Sequence, residues 1–264
     1  MFQFPPDFFN TSMSYQLDSD YRQRTYGHFE PISTLTIMRP GYTIIREKQV
    51  KAAISKKSMP VLALVSHCST HSKREAYIQV LATHINLTMV GSCAGGYNRV
   101  HMEKCGREFT SCREELIDSH YFLIAFENSV CTDYVTEKFF RMKDLIVPIV
   151  LKRSINARIA PNSSFIATDD FESPQKLAEY LKELIKNSEK YARYFDWTRE
   201  FYRESPPVYG ICALCDDLVK ERRASPTNHR RPLDHTKFFS EEHCIAGFAA
   251  GNLSYLERMK SAWL

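Results

Sequence analysis

Tyr121-Phe-Leu-Ile-Ala-Phe126-Glu-Asn-Ser-Val-Cys-Thr-Asp-Tyr-Val-Thr-Glu-Lys138 is the stretch on which the fold turns. Its first part is an unbroken apolar run of aromatic and branched residues, the pattern of a strand buried on both faces. Its second part turns polar and then takes on a helical pattern, predicted over Asp133–Met142. A buried strand that passes through a short polar loop into a helix is one βα step, and the flanking sequence repeats it. Upstream, Val61-Leu-Ala-Leu-Val65 reads as a strand and Ser72–His84 as a helix with Tyr77, Val80 and Leu81 on one face. Leu87-Thr-Met-Val90 is a second strand, ending at Gly91. Downstream, Leu145–Leu151 is a strand whose proline marks a bulge or a strand start. Phe165-Ile-Ala-Thr168 is a short strand, and Ser173-Pro174 is an N-cap and first-turn pair. The helix it opens carries Leu177, Leu181, Leu184 and Ile185 on its buried face. The alternation from Pro60 to about Phe195 predicts a Rossmann-like α/β domain.

In open α/β sheets, ligands bind beyond the carboxyl ends of the strands, where helix N-termini point. Phe126–Lys138 occupies that place. Within the predicted helix, Tyr134, Glu137 and Lys138 share one face by their i, i+3, i+4 spacing, and Asn128 sits in the preceding loop. Amides at the helix start and the Lys138 ammonium can take a diphosphate. Glu137 can accept from sugar hydroxyls, and Asn128 can both donate and accept. Spacing alone equally allows an exposed helix with a Glu–Lys surface and a core tyrosine.

Composition narrows the setting. Of 264 residues, 44% are hydrophobic, enough for a core, and 25% are charged, which argues against disorder. A net charge of +4 with no basic stripe argues against nucleic acid as a partner. Eight cysteines and Asn-x-Ser/Thr sequons at Asn10, Asn86, Asn162 and Asn252 lean towards the secretory pathway. Met1–Thr11 nevertheless has no basic n-region and no apolar h-region. The longest apolar runs, Met59–Val65 and Leu145–Leu151, are strand-sized. The expectation is that the beginning of the protein is missing. No metal-ligand spacing stands out. Cys212-Ala-Leu-Cys215 could be half a zinc site or a redox pair. Pairing among Cys93, Cys105 and Cys112, or with Cys68, is plausible, and Cys131 is expected to be free. The basic run Lys220–Lys237 reads as a solvated tail.

Residues 126–138 resemble the signature of the α1,3-fucosyltransferases, glycosyltransferase family 10: Phe-Glu-Asn-Ser, a few variable residues, then Asp-Tyr-(Ile/Val)-Thr-Glu-Lys. The similarity continues through Val147-Pro-Ile-Val150, Ser164-Phe-Ile, Asp169-Asp-Phe, Leu177-Ala-Glu-Tyr-Leu181, Tyr194-Phe-Asp-Trp197 and Cys212-x-x-Cys215. Upstream, Phe9–Tyr15 with Asp18-Ser-Asp20 resembles the end of the family's acceptor domain. The resemblance implies a GT-B arrangement of two Rossmann-like domains, with GDP-fucose held by the second and no metal or other cofactor required. It implies donor contacts from Asn128, Tyr134, Glu137 and Lys138. Arg74, in Ser72-Lys-Arg-Glu-Ala-Tyr77, matches the arginine that meets the donor phosphates, where charge builds as GDP leaves. It also implies a local Cys212–Cys215 disulfide and a lumenal domain at the Golgi membrane, held there only by an N-terminal anchor that this chain does not show.

On this reading residues 1–57 are the remnant of an acceptor domain and a linker. Residues 58–204 are the GDP-fucose-binding domain, and 205–264 a C-terminal extension. The function implied is inverting transfer of fucose, in α1,3 linkage, to N-acetylglucosamine of glycoprotein glycans. Inversion needs a general base, which in the family resembles a glutamate in a Glu-Ser-Pro segment. None precedes Asn10, the first glutamate is Glu30, and Glu172-Ser-Pro174 sits at a helix cap. No catalytic residue is therefore assigned within the chain, and the 264 residues alone are expected to be inactive. Other departures are Gln16-Leu17 for a basic pair, His67 for an asparagine and Lys152 for a glycine. The alternatives are a non-catalytic nucleotide-sugar-binding fragment and a secreted structural domain.

Overall fold

The computed structural model describes residues 5, 8–22, 26–34, 45–93, 101–102, 109–140, 145–204, 209–223, 233, 243–254 and 257–258. In the N-terminal segment the strands are short: β1 (Met13–Ser14), β2 (Tyr21–Arg22) and β3 (His28–Pro31). Helix α1 (Glu47–Ser55) follows, where a charged linker helix is expected, with Val50 turned inward. The βα alternation then begins with β4 (Met59–Leu64), α2 (Arg74–Leu81), β5 (Leu87–Val90) and β6 (His101–Met102). It continues through α3 (Phe109–Ser119), β7 (His120–Ile124), β8 (Val130–Cys131) and α4 (Glu137–Phe140). Next come β9 (Val147–Val150), α5 (Arg153–Asn156), β10 (Ile166–Ala167), α6 (Pro174–Lys186) and α7 (Ser188–Ala192). The chain closes with β11 (Phe201–Glu204), α8 (Tyr209–Arg223), β12 (Cys244–Ile245) and α9 (Phe248–Gly251).

Six strands form one parallel sheet in the order β10-β9-β7-β4-β5-β6. Both faces are covered, which is why Val61, Leu62 and Ala63 of β4 are all fully buried although neighbours along a strand point opposite ways. Helix α6 seals one face with Leu177, Leu181 and Leu184, each contributing about 1.5–3 kcal/mol by burial. Ser173 caps it by accepting from the Lys176 amide. Tyr191 of α7 is wholly buried and its hydroxyl donates to the Tyr121 carbonyl. Pro148 is tolerated inside β9 because the pairing of β9 with β10 begins only at Ile149. At the end of β5, Gly91 has φ +121°, and a Cβ there would run into the Val65 carbonyl, so only glycine fits.

The chain leaves β4 towards β5 and β6 on one side and returns through β7, β9 and β10 on the other. The strand order therefore reverses between β4 and β7, the switch point at whose carboxyl ends open α/β sheets place ligands. The Rossmann-like, GT-B-type fold class expected from the sequence is the one found. Several boundaries differ. The predicted helix Ser72–His84 begins only at Arg74, after Lys73 takes a left-handed φ of 57°. That helix is not one-faced: Ile78 and Gln79 are buried along with Tyr77, Val80 and Leu81, because α9 packs on its far side. The segment predicted as helix from Asp133 starts at Glu137, since Asp133 (φ 63°) makes a left-handed turn that breaks the helical path. Residues 205–264 hold a full helix, α8, and a separate antiparallel pairing joins β3 of the N-terminal segment to β11. Met142, Pro40-Gly41 and most of Lys220–Lys237 lie outside the described residues.

Candidate functional site: a crevice at the switch point of the sheet

Three backbone carbonyls at the end of β7 converge on the loop that opens α2. Arg74 donates from Nη1 to the Phe126 carbonyl at 2.6 Å and from Nη2 to the His67 carbonyl at 3.2 Å. Ser72 donates from its hydroxyl to the Glu127 carbonyl and from its amide to the Asn128 carbonyl, both at 2.8 Å. The loop after β4 and the loop after β7 are thus tied together across the switch point, and the Arg74 guanidinium is buried between them. A planar fork with five donors can hold both carbonyls and still present N–H to an anion.

The polar loop after β7 folds back on itself around Glu127. This carboxylate accepts from the Thr136 amide and hydroxyl through Oε1, both at 2.8 Å. Through Oε2 it takes the Lys138 ammonium at 3.0 Å. Lys138 also donates to Thr136 Oγ1 at 2.8 Å and stands 3.5 Å from Glu137 Oε1. An amide expected to be free for a diphosphate is therefore capped already by a protein carboxylate, an anion at a helix start where the backbone favours one. Burial pushes the Glu127 carboxyl above its usual range, opposed by Lys138 and Thr136. Glu127 is a candidate site residue that sequence reading missed. The signal was its place in Phe126-Glu-Asn-Ser, ahead of a threonine and a lysine that could cap and pair with it.

The remaining predicted residues surround this pair. Tyr134 precedes α4, so it does not share a helix face with Glu137 and Lys138; it stands in the turn that leads into the helix. Its ring meets Tyr15 edge-on at 5.2 Å. Burial, reinforced by Glu127, pushes its phenol up to about 12, so it stays a hydrogen-bond donor at neutral pH. Asn128 keeps its Oδ1 buried without a partner among the described residues. Glu137 points to solvent, its side chain 51% exposed. Asp133 accepts the Leu17 amide at 3.0 Å and lies 3.1 Å from Arg158 Nη1, an ion pair whose N–H does not aim along the line of approach. Residues 15–17 therefore rest directly on the signature loop.

A shallow cleft at the carboxyl ends of β7 and β9 is lined by Glu127, Ser129, Val130, Tyr134, Lys152 and Asn156, among others. Its enclosed space is about 20 Å³, far below the roughly 300–1,000 Å³ of most small-molecule sites, so the cleft does not by itself enclose a small molecule. A larger groove beside α1 collects none of the candidate residues and mixes Glu47, Glu189 and Asp196 with Lys51, Arg193 and Arg199. Among the described residues, no three His, Cys, Asp or Glu side chains converge as metal ligands.

Two of the cysteine expectations fail, and a pairing of Cys93 with Cys68, expected as plausible, is found. Cys212 and Cys215 are free, exposed thiols on α8, because the helix carries both outward. Cys131 is not free: it is bonded to Cys244, where β12 pairs with β8. Cys68 is bonded to Cys93, and Cys112 is also disulfide-bonded.

The geometry can be set beside known proteins. The profile of glycosyltransferase family 10 (fucosyltransferase), C-terminal part, matches residues 54–231. Alpha-(1,3)-fucosyltransferase fut-1 of Caenorhabditis elegans is 34% identical over 175 residues, covering 61% of this chain and 38% of that protein. Alpha-(1,3)-fucosyltransferase C of Drosophila melanogaster is 31% identical over 221 residues, covering 80% and 50%. The human 4-galactosyl-N-acetylglucosaminide 3-alpha-L-fucosyltransferase FUT6 is 34% identical over 222 residues, covering 82% and 55%. The chain spans about half the length of such curated relatives. A crystal structure of an alpha1,3-fucosyltransferase with GDP superposes with a TM-score of 0.50 at 15% identity, covering 77% of this chain and 63% of that one, a likeness of fold. With its signature intact at residues 126–138 and the family profile matching from the end of α1 into the segment after α8, this chain belongs to glycosyltransferase family 10.

Proposed function

We propose that residues 58–204 bind GDP-fucose and that the protein transfers fucose, with inversion, in α1,3 linkage to N-acetylglucosamine of glycoprotein glycans. The observation that carries this reading is the pair of cations, Arg74 and Lys138, in the first turns of the helices that follow the two loops at the switch point. In the transfer, the acceptor hydroxyl attacks the anomeric carbon of fucose as the bond to the β-phosphate oxygen breaks. GDP leaves with the bonding electrons, and the acceptor proton passes to a base. Negative charge grows on the diphosphate, and fixed cations in a partly dry site stabilise it more than water does. Glu127 holds Lys138 in place before the donor arrives, which removes a rearrangement from the binding step. Tyr134 and Asn128 supply hydrogen bonds, and the exposed Glu137 can accept from sugar or ribose hydroxyls.

The disulfides, with exposed sequon residues Asn86 and Asn162, support a lumenal, Golgi-type location for this domain. Among the described residues no helix is long and apolar enough to cross a membrane. The test is transfer of radiolabelled fucose from GDP-fucose by the full-length protein to two acceptor classes, antennal N-acetyllactosamine and the Asn-linked core N-acetylglucosamine. Transfer to either, lost in Lys138→Ala, supports the reading. A folded enzyme that hydrolyses or ignores GDP-fucose with both acceptors contradicts it.

A further inference from the structure

Residues 243–253 return from the C-terminal extension and lie across both loops of the crevice. On one side β12 pairs with β8, the Thr132 amide donates to the His243 carbonyl at 2.9 Å, and Cys244 is bonded to Cys131 inside the signature. On the other side the Gly247 amide donates to the His71 carbonyl at 2.8 Å and the Ala249 amide to the Ser72 carbonyl at 2.9 Å. Ser72 is the residue that hydrogen-bonds Glu127 and Asn128, and it stands two residues before Arg74. Ala249 and Leu253 are buried in the main core against α2. Phe248 carries the Lys152 ammonium 5.1 Å above its ring, and Lys152 lines the cleft. The strap therefore touches the loop that leads into Arg74, the loop that holds Asn128 and leads to Lys138, and a cleft lysine.

We propose that this strap is a positioning element of the donor site, locked by the Cys131–Cys244 disulfide, and that it keeps the two loops that lead to Arg74 and Lys138 in the register that a nucleoside diphosphate requires. The proposal rests on the donor reading above. A strap with a purely structural role would stabilise the fold without altering ligand affinity, because α2 and the sheet would hold the loops unaided. A positioning strap must instead be coupled to the ligand in both directions: opening it weakens GDP binding, and GDP resists its opening by the same factor.

The experiment uses GDP as the probe on the full chain. In the first arm, isothermal calorimetry compares wild type with Cys131→Ala/Cys244→Ala, well below both melting temperatures. The expected result is an affinity loss of roughly tenfold or more, within the usual range of such couplings. In the second arm, unmodified protein is treated with a dithiol. The dithiol attacks one sulfur of the bridge, forms a mixed disulfide and closes to its own cyclic disulfide, leaving thiols at Cys131 and Cys244. Alkylation and mass spectrometry follow those thiols with and without saturating GDP. GDP is expected to slow their appearance, while Cys212 and Cys215, already free, react at unchanged rates. Wild type that binds GDP alongside a double variant of equal affinity overturns the strap proposal and leaves the donor reading standing. So does GDP binding without protection of the bridge, and this arm decides the matter if the double variant does not fold. Wild type that binds no GDP sinks the donor reading itself, and the strap proposal with it.

Discussion

Glu127 lies almost out of reach of solvent, and burial raises its carboxyl even though Lys138 and Thr136 pull it down. A raised carboxyl has a definite consequence for stability. Between the ordinary glutamate value of 4.5 and the folded value, the native state keeps a proton that the unfolded chain has released. Stability then falls as pH rises through that window and is level above it. Glu127→Gln lacks this titration, so its stability relative to wild type should improve from about pH 4.5 upward, as read by urea unfolding at a series of pH values. Parallel curves for the two proteins would mean that the carboxyl is not perturbed by burial. Lys138, Asn128 and Arg74 were all legible in the sequence as members of a motif. Their surroundings were not. Spacing shows that a lysine follows a glutamate, but not that Glu127 turns back to cap Thr136 and hold Lys138. Nor does it show Ser72 reaching Glu127 across 55 residues.

The helices divide by how much of their form is local. Helix α6 was readable from end to end, because Ser173, Pro174 and a leucine stripe specify cap, first turn and buried face without help from elsewhere. Leu181→Ala should cost about 2–5 kcal/mol, through lost burial and a cavity. Ser173→Ala should cost about 1 kcal/mol, through one lost cap. Denaturant titration of both variants checks the ratio, and comparable losses would mean that the stripe is not the helix's main attachment. Helix α4 was misjudged in the opposite way. Its predicted start at Asp133 followed side-chain spacing, whereas the left-handed turn at Asp133 is held by tertiary contacts, a hydrogen bond from the Leu17 amide and an ion pair with Arg158. Helix α2 reads as amphipathic only until α9 is known to cover its other side.

For the molecule as a whole, the cysteines were the least legible feature, since connectivity depends on which distant strands meet. Cys131 and Cys244 are 113 residues apart and are joined only because β12 crosses to β8. Alkylation of the native protein without reductant should modify Cys212 and Cys215 at once and leave Cys68, Cys93, Cys131 and Cys244 protected. A peptide map linking Cys212 to Cys215 would contradict the placement of α8. The parallel α/β character of the sheet, by contrast, is what the βα alternation predicts.

The donor site is tested most directly by calorimetric titration of GDP into the full chain and into Lys138→Ala. Saturable one-to-one binding by the wild type is predicted. Loss of one charge-assisted contact, worth about 1.5–3 kcal/mol, should weaken it by roughly one to two decades in the variant. Equal affinity in the two proteins would take Lys138 out of the site, and an absence of binding by the folded wild type would contradict a GDP-fucose site at the switch point altogether.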